Sequence, residues 1–495
     1  MNHADVIVIG AGFGGLSAAA LLAQRGRKVQ VFESALELGG CASKFDRHGY
    51  RFAAGATIGM GFEKGGLFSD LYAELRIPLP HIQDLPIIMD VHLPDRTLRY
   101  WKEKKAWYQE LAHHFPHDHE RMCAFYEEVF AVAAAMQSFI AAKPIFPPQT
   151  LSDYRQLLKL ARPQLIRLFP YVFDTIHTRL KRYGLADHRE FVCFLNGQLM
   201  DSVQTTVDQS PALLGYIALN VFHQGAYYVY GGLATIAEQL ADVLKGYGGE
   251  IMMRTPIVHI REITSGWEVT TAKKQTYTAN QLIVANSLHN LSSLMGPTHS
   301  EAIPKKLRNE KNKPAWGAFT MYFGVKDEFL PEESPTPLFH QFIQHMDESP
   351  TEANQFLFSI SASDDRLRSA AGHRAITISS HTQAHMWWER DRYETMKQEY
   401  ASRIVTAIQQ RFPLFQQAIE VELSGTPVTF HRYTQRHLGK VGGYIPEGPA
   451  SLFTAYSPRL SKQGLWACGD TVFPGAGTLG TAMSGWIVAN EMCRT

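Results

Sequence analysis

Apolar runs, the polar positions between them and the glycines that separate the two divide the chain into recognisable units. The first is DVIVIGAGFGGLSAAALLAQRGRKVQVFES, from Asp5 to Ser34. Val6 to Ile9 is a short apolar run suited to a strand buried on both faces, and Val29 to Phe32 repeats it. The alanine- and leucine-rich stretch between them predicts a helix, so the unit reads strand, turn, helix, strand.

Leu67 to Leu98 alternates short apolar runs with proline and charge and reads as loops and strands. From Met122 to Leu199 the pattern is helical. Within it Tyr154, Leu157, Leu158, Ala161, Leu165, Leu168 and Phe169 share one face, and Arg155, Lys159 and Arg162 the opposite one. Arg179, Lys181 and Arg182 extend the basic bias, while Pro163 and Pro170 forbid one long helix. Such a basic amphipathic segment either lies in a membrane interface or packs as an ordinary helix on its own core. A helix is next predicted from about Leu233 to Leu244, then a strand after Gly248 and Gly249, and a further strand QLIVANS ending near Asn286. From Leu288 to about Thr429, AWGAFTMYFGV, NQFLFSIS and RAITISS predict a mixed or antiparallel sheet with one face toward a cavity. Phe319, Tyr322, Phe323, Phe356, Phe358, Trp387 and Trp388 would line an apolar tunnel or fill a plain core. A last strand at Leu465 to Ala467 leads through PGAGTLG into a closing helix.

A chain of 495 residues can hold two or three domains, and a formal net charge of +1 gives no bulk electrostatic reason to expect nucleic acid. The five cysteines are scattered, with neither metal spacing nor a disulfide framework, which fits a reducing cytosol. The first strand begins within five residues of the start, leaving no room for a signal peptide. The longest mostly apolar stretch, Val129 to Ala142, reads as too short to cross a bilayer. The expected location is cytoplasmic, with the inner face of the cell membrane as a possible site of peripheral attachment. His113, His114, His117 and His119 crowd together, but Pro116 breaks the register that would put His113 and His117 on one helix face. A solvated surface cluster is therefore the expectation, and no metal site is assigned.

The candidate chemistry sits in the glycines. Gly10, Gly12 and Gly15 have the spacing GxGxxG at a strand-to-helix turn, where the first permits the turn, the second lets main chain approach a pyrophosphate and the third lets helix and strand pack closely. The phosphates then meet free N–H groups at the helix start. Glu33, ending the second strand, is placed to accept the hydroxyls of an adenosine ribose and disfavours a 2′-phosphate. Gly39 and Gly40 would let main chain pass beside a bound dinucleotide.

This order, completed by Gly49, Tyr50, Phe52 and Gly55 in a GYxFxxG stretch, resembles the phytoene desaturase and carotenoid isomerase family within the wider amine-oxidase-like flavoproteins. The resemblance implies FAD as cofactor and an α/β fold: a discontinuous Rossmann-like FAD domain of residues 1–66, 226–287 and 436–495, a mixed-sheet substrate domain of 67–121 and 288–435, and a helical region of 122–225, the candidate for membrane association. The implied cofactor-binding residues are Gly10, Gly12, Phe13, Gly14, Gly15, Glu33, Ser34, Gly39, Gly40 and Cys41; Gly55, Ala56 and Thr57 near the flavin ring; Val258 by its backbone at the adenine; Gly469 and Asp470 at the ribityl or pyrophosphate; and Gly480 and Thr481 at a helix start facing the flavin. Two positions depart from the family pattern: Cys41 where many relatives carry Arg, and Ala53 where Asp is usual. The implied activity is desaturation or cis–trans isomerisation of a long apolar carotenoid-type polyene by hydride transfer to flavin N5. No catalytic residue is assigned. An oxidase of an amine or porphyrinogen, and a non-catalytic polyene or membrane binder with structural FAD, are the alternatives.

Overall fold

The computed structural model describes residues 3–160, 165, 167–299, 315–331, 336–451, 455–461 and 463–494. Ala161, Arg162 and Pro163, used above to read an amphipathic face, lie outside the described residues.

The strand His3–Ile9 is buried along most of its length because it lies inside a seven-stranded sheet, which is what its unbroken apolar run requires. Val29–Phe32 pairs parallel to it on one side and Thr276–Val284 on the other, with Glu250–Met252 beyond Val29–Phe32. The two halves of Thr276–Val284 have different neighbours on their outer edge. Its beginning pairs with Gly266–Thr271 and its end with Leu465–Ala467, parallel, through Leu282, Ile283 and Val284. Strands from the first thirty-two residues and from Leu465 onward thus belong to one sheet. Helix Phe13–Gln24 covers one face together with Ala234–Gly246 and the closing helix Gly477–Met492, in a core of small residues such as Ala18, Ala19 and Ala489.

A second seven-stranded sheet is built from Ile87–His92, Thr97–Trp101, Trp316–Lys326, Phe339–Ile343, Gln355–Ile360, His373–Gln383 and Ile419–Gly425. Its two faces differ sharply. Phe319, Met321, Phe323, Phe356, Phe358, Ile376 and Ile378 pack on helix Arg390–Arg411 and on Phe412 and Phe415. The alternating residues Ala318, Tyr322, Leu357, Ser379 and His381 face the large cavity described below. Of the aromatic residues expected either to line a tunnel or to fill a core, Phe319, Phe323, Phe356, Phe358 and Trp387 fill the core, Tyr322 reaches the cavity and Trp388 is partly exposed.

The third part is helical: His119–Ala141, Leu151–Leu160, Ile176–Arg182, Arg189–Val203 and Ala212–Gln224. His119–Ala141, at 23 residues, is the one helix among the described residues long and apolar enough to cross a membrane; the apolar run is longer than Val129 to Ala142 suggested. Met122, Phe125, Tyr126 and Val129 on it are nonetheless buried in the protein's own core. Two other expectations change. Leu67–Leu75, read as loop and strand, is a helix whose Leu67, Phe68, Leu71, Tyr72 and Leu75 join the core around Phe13–Gln24. Arg179, read as part of a basic surface, is buried, paired with Glu128 and Asp174 and stacked on Tyr171.

Candidate functional site

The end of His3–Ile9 turns sharply at Gly10, whose φ of +107° is closed to most side chains, and enters the helix at Phe13. Gly12 has no atom within 4 Å of where a Cβ would stand, so the backbone at the helix start faces open space. That start carries no acidic residue in its first turn and no side-chain cap, leaving its N–H groups and the positive end of the helix dipole for an anion. Gly15 answers a different need. A Cβ there would overlap the Gly10 carbonyl oxygen and come within 2.9 Å of Ala285 Cβ.

Glu33 is fixed before any ligand arrives. Its carboxylate accepts the Ala11 N–H at 2.7 Å and the Ala35 N–H at 2.8 Å, and the Ser34 hydroxyl approaches at 3.2 Å. Oε2, which accepts only the Ala11 N–H, keeps a lone pair for a ribose hydroxyl. Gly39 donates to the Ala11 carbonyl at 2.9 Å, which lays the Gly39–Gly40 turn beside Gly12. Cys41 follows, its carbonyl accepting from Ala56 N–H at 3.3 Å and packing on Gly55, while Thr57 bonds Ser359 of the second sheet at 2.7 Å. Burial raises the Cys41 thiol above its ordinary pKa, Arg436 opposing and Asp470 adding to the effect, so it stays protonated at neutral pH. It is a poor nucleophile, as a filler residue would be.

From the other end of the chain, Gly469 and Asp470 leave Leu465–Ala467, and Asp470 takes a hydrogen bond from Arg436 Nη2 at 2.5 Å. The closing helix begins at Gly477 with Ala476 as its N-cap, three residues before the expected start, so Gly480 and Thr481 lie at the end of its first turn.

These segments enclose one cavity of about 1910 Å³. Every residue expected at the site lines it except Gly15, which is packed between turn and helix: Gly10, Gly12, Phe13, Gly14, Glu33, Ser34, Gly39, Gly40, Cys41, Gly55, Ala56, Thr57, Val258, Gly469, Asp470, Gly480 and Thr481. The volume is nearly twice the roughly 1000 Å³ of a large single-ligand pocket, enough for a dinucleotide and a second molecule. The far wall comes from the helical region, through Ala133, Met136, Phe139, Leu165, Leu168, Leu213, Ile217 and Val221.

Sequence reasoning missed many polar residues on this cavity, and three of them bear on its chemistry: Arg436, Asp201 and His381. Burial pushes Asp201 up to about 7 against hydrogen bonds from Gln341 at 2.5 Å and Gln355 at 3.5 Å. Burial likewise pushes His381 down to about 4, so its imidazole is neutral at pH 7. None of the three sits in a motif; only tertiary contact reveals them. The clustered histidines stay on the surface, His113 and His117 exposed, and among the described residues no three metal-ligating side chains gather.

The cradle fits FAD: an open helix start, a ribose-facing carboxylate and a second chain end closing over them. Replacing Glu33 by Ala is expected to weaken FAD binding by about 1–3 kcal/mol through lost charge-assisted hydrogen bonds. It should also lower apo-protein stability, because Ala11 and Ala35 lose their acceptor. Flavin titration with thermal unfolding checks both, and unchanged FAD affinity contradicts the ribose assignment.

Known proteins share this architecture along its whole length. Putrescine oxidase bound to putrescine superimposes with a TM-score of 0.66 over 100% of this chain and 99% of its own, at 15% identity. Cyclohexylamine oxidase from Brevibacterium oxydans gives 0.62 over 99% and 100% at 14% identity. In sequence, the chloroplastic prolycopene isomerase of Daucus carota is 27% identical over 99% of this chain and 80% of that protein. The human all-trans-retinol 13,14-reductase is 23% identical over 94% and 83%. The oxidases share the fold at identities too low to say more; the sequence match to the flavin-containing amine oxidoreductase family, which runs from residue 13 to residue 493, places this chain in that family of FAD enzymes.

Proposed function

We propose that this FAD-dependent oxidoreductase acts on a long apolar polyene, most simply a carotenoid that it isomerises or desaturates. The observation that carries the reading is the second half of the cavity. A wall of Ala133, Met136, Phe139, Leu165, Leu168 and Ile217 continues from the cofactor cradle and offers a hydrocarbon chain a dry path. Relatives named for prolycopene isomerisation and retinol reduction, both chemistries of conjugated chains, support it.

Bound FAD supplies two-electron chemistry by hydride exchange. The chain's own residues do the rest. In this reading, the helix start at Gly12 to Gly14 binds the diphosphate and Glu33 the ribose. The N-terminus of Gly477–Met492 favours negative charge on the flavin ring. The helical wall excludes water, and the face bearing Ser379 and His381 puts neutral polar groups opposite it. Pigment analysis of a host making acyclic carotenes, with and without this chain, tests the reading. A changed isomer or desaturation profile is expected, and identical profiles from flavin-loaded protein overturn it.

The same reading brings the substrate from a lipid phase. Leu151, Tyr154, Leu158, Phe169 and Phe173 are 54–77% exposed instead of packed on a core. Arg155, Lys159, Arg167, Lys181 and Arg182 stand exposed among them, and Leu165 and Leu168 carry the patch into the cavity. Apolar side chains ringed by cations suit an anionic membrane surface. The protein is expected to float with anionic liposomes at low salt, and Leu158→Asp with Phe173→Asp to abolish this. Wild-type protein remaining wholly in the soluble fraction rejects the membrane step.

A further inference from the structure

Arg436 has no part in the motifs at either end of the chain, yet its guanidinium is held where they meet. The side chain is 13% exposed and lines the cavity. Nη2 donates to Asp470 at 2.5 Å and Nε to the Lys440 carbonyl, which fixes the plane of the group. Nη1 has no acceptor among the described residues. Burial works against the charge, but Asp470 and Cys41 more than offset it, so Arg436 remains a cation. Its field reaches Cys41, the residue after the Gly39–Gly40 turn, and Gly40 lies against Gly12, a Cβ on it standing 3.5 Å from Gly12 Cα. A fixed and nearly dry guanidinium with an unused donor therefore lines the same cavity as the open helix start, bonded to Asp470, whose neighbour Gly469 packs on Gly14. A phosphate oxygen is the partner that suits a guanidinium with a donor to spare.

Other cavity cations are engaged or exposed. Lys44 pairs with Glu238 at 2.5 Å, Lys143 lies 3.9 Å over the Trp486 ring, and Arg47 is exposed.

The geometry points to Arg436 as the residue that neutralises the diphosphate of the cofactor, with Asp470 and the Lys440 carbonyl aiming it. The C-terminal segment then contributes charge as well as shape to a dinucleotide site otherwise built from backbone and helix dipole. This rests on the FAD assignment of the cradle and is independent of the polyene substrate.

The test compares FAD with riboflavin, which has no phosphate, binding to apo-protein by flavin fluorescence. Arg436→Gln is expected to weaken FAD at least about tenfold, the scale of one charge-assisted contact, and to leave riboflavin unchanged. Cys41→Arg in the Arg436→Gln background is expected to recover most of the FAD affinity by returning a cation to the same end of the cradle. Three results overturn the proposal: unchanged FAD affinity in folded Arg436→Gln, an equal loss for both flavins, or recovery in Arg436→Gln/Asp470→Asn, which would mean that Arg436 only balances Asp470. If Arg436→Gln does not fold, Arg436→Lys carries the test; it must weaken FAD at least about threefold relative to riboflavin, because a lysine loses the fork, and an unchanged ratio overturns the proposal. Wild-type protein that binds neither flavin sinks the cofactor reading itself.

Discussion

Gly485→Val is expected to destabilise the chain by at least about 3 kcal/mol, the upper part of the range for overpacking a tight core, and to strip it of flavin. A Cβ at Gly485 would overlap the Gly14 carbonyl oxygen and stand 3.1 Å from Ala18 N, so the closing helix could not stay against Phe13–Gln24. The same contact sets the cofactor cradle. The slot above Gly14 is only 3.0 Å from Gly469 N and Thr481 O, and Ser484, next to Gly485, accepts the Gly469 N–H at 2.8 Å. Pushing the two helices apart therefore separates Gly14, Gly469 and Thr481 at once. Thermal unfolding and the flavin-to-protein ratio read the two effects. Gly246→Ala is the control: no atom lies within 4 Å of its Cβ position at the end of Ala234–Gly246, and alanine there should be neutral or stabilise by up to about 1 kcal/mol. A Gly485→Val protein with wild-type melting temperature and flavin content would mean that the ends of the chain are not held together by this contact.

What could be read from the sequence follows from how local each signal is. Val6 to Ile9, Val29 to Phe32 and Leu465 to Ala467 are apolar runs bounded by glycine or charge, and each is a strand in one sheet, because a central parallel strand needs nothing beyond that pattern. The helix before Gly246 was legible for the same reason, its apolar stripe ending at a glycine-rich turn. The second sheet shows the limit. Alternation in AWGAFTMYFGV announces two faces, but which one meets a cavity depends on Arg390–Arg411 covering the phenylalanines, and that helix lies some seventy residues away. The start of the closing helix was misplaced because PGAGTLG offers several glycines and no capping side chain. Leu67, Phe68, Leu71, Tyr72 and Leu75 do carry a helical period, but over only nine residues and beside proline-rich text. Arg436 and Asp201 were invisible for a deeper reason: a lone charged residue has no local signature, and its meaning lies in what the fold puts around it.

Asp201 is where that hidden information has the largest measurable consequence. Asp201→Asn is expected to leave stability nearly unchanged near pH 4 and to raise it progressively toward pH 8. The carboxyl has an ordinary pKa of 3.8 when unfolded and about 7 when folded, so between these values the folded chain binds more protons than the unfolded one and stability falls as pH rises. At about 1.4 kcal/mol for each tenfold, the ionised form costs the fold on the order of 4 kcal/mol by pH 8. The groups around it are amides that leave the charge unpaired: Gln341 and Gln355 donate to it, and Gln198 donates to Gln341 at 2.9 Å. Buried histidines give the wild type an opposite slope at low pH, because His381, held near 4, takes up its proton only in the unfolded state between there and about 6.5. The difference between variant and wild type at each pH cancels that background and isolates Asp201. Denaturant titrations from pH 4 to 8 measure it, and parallel curves would refute the assignment. A neutral acid among amides also suits a hydrocarbon ligand in the same cavity, since an ionised carboxylate would have to give up its remaining water as the ligand entered. Polyene affinity should accordingly weaken above pH 7 in the wild type and hold steady in Asp201→Asn.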